Sequence, residues 1–186
     1  MLSSKEALRR EALARRGAMS APQRAERSRA ICRALESLPE LSGAKRVLGY
    51  WPHGDECDLR PLYDLLRDRG VALAFPVSGE DGSMEAYVPR AALRRGRFGI
   101  PEPDPASSLL LAPEALDAVL VPCVGFDAAL GRLGHGGGYY DRFLPRCPRA
   151  GAILIAFEAQ RLPAVPREEH DLSFSVLVTE NGVHRT

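Results

Sequence analysis

Hydrophobic positions change their spacing along this chain. Up to residue 38 they recur every three to four residues, with Ser28, Ile31, Leu35 and Leu38 on one face, which predicts helices over 3–17 and 21–38. The second opens on Ser20-Ala-Pro-Gln23 in capping-box order, and Pro39 with Ser42-Gly43 ends it. Short apolar runs follow. RVLGYWP reads as a strand, DLRPLYDLLRDRG as a helix capped by Asp58 and stopped at Gly70, and VALAFPV as the next strand, a β-α-β unit that requires parallel pairing. SMEAYVP predicts a short strand before a Pro/Gly-rich loop through Asp104. The continuous apolar run at 117–126, DAVLVPCVGF, has the character of a strand buried on both faces, with its centre at 119–124. A glycine loop, a helix over 139–144 and the strand GAILIAFE repeat the unit, and FSVLVTE closes the sheet. The alternation predicts a single three-layer α/β/α domain spanning 1–186, with a mostly parallel sheet and two N-terminal helices. A chain of 186 residues suits one core.

Composition narrows the class. The formal net charge is +1, so bulk charge names no partner, although the first 46 residues carry eleven Lys or Arg against five acidic groups. Such a balance suits a solvated helical face or a polyanion. Cys32, Cys57, Cys123 and Cys147 have no C-x-x-C spacing, which speaks against a structural metal or a disulfide framework and for a reducing cytoplasm. No apolar N-terminal h-region or eighteen-residue apolar run appears, so neither secretion nor a membrane is expected.

The richest chemistry lies in RLGHGGGYYDRFL, residues 132–144, between a predicted strand and helix. Gly134, Gly136, Gly137 and Gly138 free the backbone for positive φ and let an anion approach main-chain N–H groups, while a following helix adds unsatisfied donors. The run matches neither the Walker pattern nor G-x-G-x-x-G. Glycine turns also join strands to helices without any ligand; Arg132 and Asp141 beside these glycines favour phosphate with a metal. On the first helix, Lys5, Arg9 and Arg16 fall within roughly 40° of one another, a basic stripe that is either solvated or turned to a triphosphate. Asp141 and Asp171 are hard oxygen donors that suit Mg²⁺, or else a helix-start charge and a loop cap. His170 reads as a loop residue. Trp51 and Glu56 suit a flat ring bearing hydrogen-bond donors, or a core aromatic and an acidic helix start. The segments after Tyr50, Phe126 and Phe157 each follow a predicted strand, so they are expected to converge on one cleft.

Taken together, KEALR (5–9), YWPHGDECD (50–58), FGIPEP (98–103), VPCVGFD (121–127), the glycine loop and FEAQRLPAVPREEHD (157–171) resemble the motifs of the 5-formyltetrahydrofolate cyclo-ligase family, also called methenyltetrahydrofolate synthetases. The order is the family's and the motifs span nearly the whole chain. His135 departs from the Tyr or Arg often found there, and Cys123 from a common Gly. The resemblance implies ATP- and Mg²⁺-dependent closure of 5-formyltetrahydrofolate to 5,10-methenyltetrahydrofolate, with release of ADP and phosphate, through a phosphorylated formyl group. It implies ATP contacts at Lys5, Glu6, Ala7, Leu8, Arg9, Arg132, Leu133, Gly134, His135, Gly136, Gly137, Gly138, Tyr139 and Tyr140. Folate contacts are implied at Trp51, Glu56, His135, Gly136, Gly137, Gly138 and Tyr139, and metal ligation at Asp141 and Asp171. No single nucleophile or base is implied. The partners are a reduced folate and ATP, without nucleic acid or membrane, and a monomer is favoured. Two other classes share the same features: a silent nucleotide- or RNA-binding protein using the basic helices, and an α/β enzyme acting on a sugar phosphate. Against RNA, the chain lacks an aromatic ribonucleoprotein motif.

Overall fold

The computed structural model describes residues 4–168 and 171–186; His170 lies outside them. Along the chain run α1 (Lys5–Gly17), α2 (Ala21–Glu36), α3 (Pro39–Ser42), β1 (Arg46–Leu48), α4 (Arg60–Asp68), β2 (Ala72–Ser78) and β3 (Met84–Val88). Next come β4 (Arg94–Arg95), β5 (Pro101–Glu102), β6 (Leu109–Leu111), β7 (Ala118–Pro122), β8 (Gly125–Phe126) and β9 (Arg132–Leu133). The chain finishes with α5 (Tyr139–Phe143), β10 (Gly151–Ile155), β11 (Val176–Thr179) and β12 (Gly182–Arg185).

Eight strands form one sheet in the order β12-β11-β10-β7-β1-β2-β3-β6. The inner pairings β10–β11, β10–β7, β7–β1 and β1–β2 are parallel, and β12, β3 and β6 pair antiparallel. FSVLVTE therefore does not close the sheet: the turn at Asn181 and Gly182 (φ +118°) folds β12 back against it as the edge strand. One sheet face packs Ile31 and Leu35 of α2 and Leu62, Tyr63 and Leu66 of α4 against Val47, Phe75, Leu120 and Ile153. The other packs Tyr140 and Phe143 of α5 against Leu48, Val119, Val121 and Leu154. Strands buried from both sides read as continuous apolar runs, which is why the parallel centre was the clearest signal in the sequence. Only α2 of the two N-terminal helices belongs to a layer. α1 instead lays Leu8 and Ala12 on Val124, Leu133, Leu162 and Val165, beyond the carboxyl ends of the strands.

Several boundaries differ from the pattern-based expectation. The Ser20–Gln23 capping box forms, yet α2 stops at Glu36, and Pro39 starts α3 rather than ending α2; proline is compatible with the first turn of a helix, where its missing N–H is not needed. Asp58 is not the cap of α4, which is Leu59; its carboxylate accepts the Arg60 N–H at 3.0 Å, forming an Asx turn ahead of the helix. The predicted strand at Arg46 shortens to three residues, and at the next position Gly49 lies against Tyr63, where a Cβ would stand 2.9 Å from that ring. The apolar run at 117–126 breaks at Cys123. Gln160, 2% exposed, donates to the carbonyls of Cys123 (2.7 Å) and Val124 (2.9 Å), satisfying the bend and releasing β8 into a hairpin with β9.

Candidate active site

The parallel strand order reverses direction between β1 and β7, and loops leaving the carboxyl ends of such strands diverge there into a crevice. A cavity of about 880 Å³ opens at this point. Tyr50 and Trp51 enter it from the end of β1, Pro122 from β7, Pro76 and Ser78 from β2, and the β9–α5 loop forms its floor.

That loop is positioned by buried polar groups. Asp127, 7% exposed, accepts the N–H groups of Ala129 (3.0 Å), Gly131 (2.7 Å) and Val165 (2.9 Å), fixing the turn of the β8–β9 hairpin. The hairpin delivers Arg132, whose Nε donates to the Pro122 carbonyl (3.3 Å), whose Nη1 stands 3.5 Å from Asp141 Oδ1, and whose guanidinium lies 5.3 Å from the Tyr140 ring centre. Only Gly136 (φ +97°) and Gly138 (φ +65°) take positive φ; Gly134 and Gly137 do not. A Cβ at Gly137 would meet the Tyr139 ring at 2.8 Å, so that glycine is required by close approach instead. Helix α5 runs only from 139 to 143, one residue short of the expected end, and Pro145 follows in a 3₁₀ turn. Its macrodipole is correspondingly small, leaving anion attraction to the side chains.

Those side chains come from α1. Lys5 Nζ lies 2.9 Å from both Asp171 Oδ2 and Glu168 Oε1, and Arg9 Nε donates to the Gly134 carbonyl at 2.8 Å. The hydrogen bond that Lys5 donates to Asp171 is the main cause holding its ammonium above its ordinary pKa. The third member of the stripe departs: Arg16 is 4% exposed and donates from Nε to Asp55 Oδ1 at 2.7 Å, with Nη1 3.9 Å from Glu56 Oε1. It faces the loop covering the end of α1, not the cavity. Glu6, Ala7 and Leu8 also leave the cavity wall to Lys5 and Arg9; Leu8 is buried in the α1 contact.

Trp51 is half-buried, edge-on to Phe75 at 5.8 Å, and presents the rest of its indole to the cavity. Glu56 accepts the His53 N–H at 3.0 Å and lies 3.4 Å from His135 Nε2. Both tyrosines line the cavity but differ in burial: Tyr140 packs in the core, where burial drives its hydroxyl pKa up, while Tyr139 is more open and lies edge-on to Phe98 at 6.2 Å. Leu133, Gly134, His135, Gly136, Gly137, Gly138, Asp141 and Asp171 all line the same cavity. Not every segment past a strand reaches it. Ala159, Arg161 and Leu162 line a separate shallow hollow beside Arg15 and Ala18. The four cysteines are buried and unpaired.

Pattern reading missed part of the wall. Phe98 (φ +60°), Ile100, Pro101 and Glu102 reach the cavity from the β4–β5 ribbon, and Arg142 from α5. FGIPEP held the signal: an acid between two prolines in a loop marks a fixed backbone carrying a polar group. No helix of the described residues is long and apolar enough to cross a membrane.

The model of the 5-formyltetrahydrofolate cyclo-ligase family matches residues 1–180. The chain is similar to the Mycolicibacterium smegmatis 5-formyltetrahydrofolate cyclo-ligase, with 31% identity over 77% of this chain and 80% of that one. The Escherichia coli K12 protein of the same name is 29% identical over 91% of this chain and 96% of its own. An NMR structure of Aquifex aeolicus 5,10-methenyltetrahydrofolate synthetase superposes with a TM-score of 0.84 at 35% identity, covering 97% of this chain and 92% of that one. A glycine loop under α1, an aromatic wall at the end of β1 and the matches over nearly the whole length agree: the chain belongs to the 5-formyltetrahydrofolate cyclo-ligase family.

Proposed function

We propose that this protein closes 5-formyltetrahydrofolate to 5,10-methenyltetrahydrofolate at the expense of ATP, releasing ADP and phosphate. The observation that carries this reading is one cavity joining two chemistries. Lys5, Arg9, Arg132 and the glycine backbone stand at one wall, and Trp51, Tyr139 and Glu56 offer a flat-ring site beside them. A formyl amide is a poor electrophile. Transfer of the γ-phosphoryl group to its oxygen releases ADP and gives an iminium phosphate; nitrogen 10 attacks that carbon and gives up its proton, the five-membered ring closes, and phosphate leaves. Such chemistry asks for positioning and charge neutralisation more than for a nucleophile. Lys5, Arg9 and Arg132 supply the charge, loop N–H groups hold phosphate oxygens, and Phe98 and Tyr139 limit water at the mouth.

The donor set also fits Mg²⁺. Asp141 and Asp171 are carboxylates on the cavity wall, with side chains 31% and 23% exposed, and Mg²⁺ takes one or two carboxylates together with phosphate oxygens and water. Bound by those two residues, the ion supplies neutralisation of phosphate charge.

The test follows methenyl absorbance in purified protein given 5-formyltetrahydrofolate and MgATP, with ATP omitted in a parallel sample. Product that depends on ATP is expected. A folded protein that binds ATP yet makes no product would overturn the reading, and intact turnover in Asp171→Asn would remove the metal assignment.

A further inference from the structure

Five carboxyl groups line the cavity, and four of them lie within 3.9 Å of a basic side-chain nitrogen: Glu56 by Arg16 and His135, Asp141 by Arg132, and Glu168 and Asp171 by Lys5. Glu102 forms no such pair among the described residues: Arg94 lies opposite it across β4–β5 but turns its Nε to Asp104 at 3.7 Å. It is 6% exposed, it sits between Pro101 and Pro103, and the backbone N–H groups of Ser78 and Arg97 and, at longer range, the Arg94 and Arg97 charges act on it. Gly96 packs so closely on it that a Cβ there would lie 2.2 Å from the carboxyl carbon. The group is thus fixed in place from behind while one side meets the cavity.

An ionised carboxyl offers about four lone-pair directions. Two backbone donors leave about two unfilled, and a desolvated acceptor left without a donor is costly. A cation from solvent does not solve this, because Glu102 is set among Phe98, Ile100 and Pro101. A flat heterocycle with N–H groups on one edge does: its face lies on aromatic side chains and its donors fill the carboxyl.

We propose that Glu102 is a substrate-binding carboxylate that accepts hydrogen bonds from the amino and ring N–H donors of the reduced pterin. This rests on the formylfolate reading above and adds a second carboxyl contact to that of Glu56. It makes the β4–β5 ribbon a determinant of which ring the cavity admits. Burial raises the Glu102 pKa against the opposing pull of the Ser78 and Arg97 N–H groups. The charged groups facing it are Arg94 and Arg97 of its own ribbon, and β2, packed against that ribbon, carries no charged side chain.

Trp51 is the chain's single tryptophan and lines the cavity, so its fluorescence reports ring binding without turnover. The experiment titrates 5-formyltetrahydrofolate into wild type, Glu102→Gln and Glu102→Leu without ATP, from pH 5 to pH 8, and MgATP in separate samples. Loss of hydrogen bonds to a charged acceptor predicts a rise in folate Kd of roughly 10- to 100-fold for Glu102→Leu, with ATP Kd unchanged. Glu102→Gln, which keeps a carbonyl acceptor, restores binding to within about threefold at pH 5, by the same hydrogen-bond arithmetic. The wild-type Kd is expected to weaken as the pH falls through the raised pKa and the Glu102→Gln Kd to stay flat, a difference that a purely structural role does not produce. Equal folate Kd values for wild type and Glu102→Leu, or identical pH profiles for wild type and Glu102→Gln, overturn the inference alone. Absence of any folate quenching in wild type overturns the formylfolate reading and this inference with it.

Discussion

Replacing Arg16 by Met tests whether the site is held together by buried charge. The guanidinium is 5% exposed in its side chain, bonds Asp55 through Nε (2.7 Å) and Nη2 (2.6 Å), and lies 3.9 Å from Glu56, whose side chain is 9% exposed. Methionine fills similar volume without charge, so packing is largely kept and the loss is electrostatic. Removing one partner of a buried ion pair costs about 3–5 kcal/mol, because the other charge is left uncompensated. Asp55 keeps 28% of its side chain in water and can rehydrate, which brings the expected loss to about 2–3 kcal/mol. With a urea slope of roughly 2 kcal/mol/M, the unfolding midpoint should fall by about 1–1.5 M. The neighbouring Arg15→Met is the control: its side chain is 46% exposed, and its ion pair with Glu11 should contribute less than about 1 kcal/mol. The double variant Arg16→Met/Asp55→Leu should recover part of the stability. Equal midpoints for Arg16→Met and Arg15→Met, or no recovery in the double variant, would refute the argument.

Gly49→Ala should lower stability by about 1–3 kcal/mol in urea unfolding, since its Cβ meets a Tyr63 ring that cannot swing away; that hydroxyl accepts the Tyr50 N–H (3.0 Å) and donates to the Tyr50 carbonyl (2.6 Å). Asp117 ties β1 to β7 by accepting the Lys45 and Arg46 N–H groups at 2.9 and 2.8 Å; burial raises its pKa, but those donors and the Arg46 guanidinium outweigh it and the net shift is downward. A depressed carboxylate contributes stability above its unfolded value that is lost as pH falls through the folded one, so Asp117→Asn should cost about 1 kcal/mol at pH 7 and flatten the decline of Tm below about pH 4. Chelating divalent cations with EDTA should weaken ATP binding at least tenfold in calorimetry; equal affinity with and without Mg²⁺ would contradict the charge balance developed below.

The parallel centre of the sheet was legible because burial on both faces leaves an uninterrupted apolar run, and the capping box because it is written in four adjacent residues. Edge strands carry no comparable mark. β6 and β12 are three and four residues long, half-exposed, and defined by the neighbour they pair with. The break at Cys123 was hidden for a related reason: the residue that satisfies the bend, Gln160, lies 37 positions away. Helical spacing correctly put Lys5, Arg9 and Arg16 on one face, but periodicity gives an azimuth and not what lies over it. The cavity wall covers the first two, and the Asp55–Glu56 loop covers the third.

The charge inventory explains why the glycine loop alone would be a poor predictor of anion affinity. Among the described residues, four cations line the cavity, Lys5, Arg9, Arg132 and Arg142, against five carboxyl groups. Lys5 and Arg132 are engaged by acids, whereas Arg9 and Arg142 reach the loop through backbone carbonyls, Arg9 donating to Gly134 and Arg142 to Gly82 and Gly137. A triphosphate entering such a cavity exchanges one set of ion pairs for another and gains little net Coulomb energy, since like charges on Asp141 and Asp171 oppose it. A divalent cation placed at those two aspartates reverses their contribution from repulsion to ligation. If the proposed function holds, the same residues that oppose bare ATP would then favour MgATP, and Lys5 and Arg132 would be released from their acids to meet phosphate oxygens. In the proposed reaction, selection for the metal-bound nucleotide would follow from the acids as much as from the arginines.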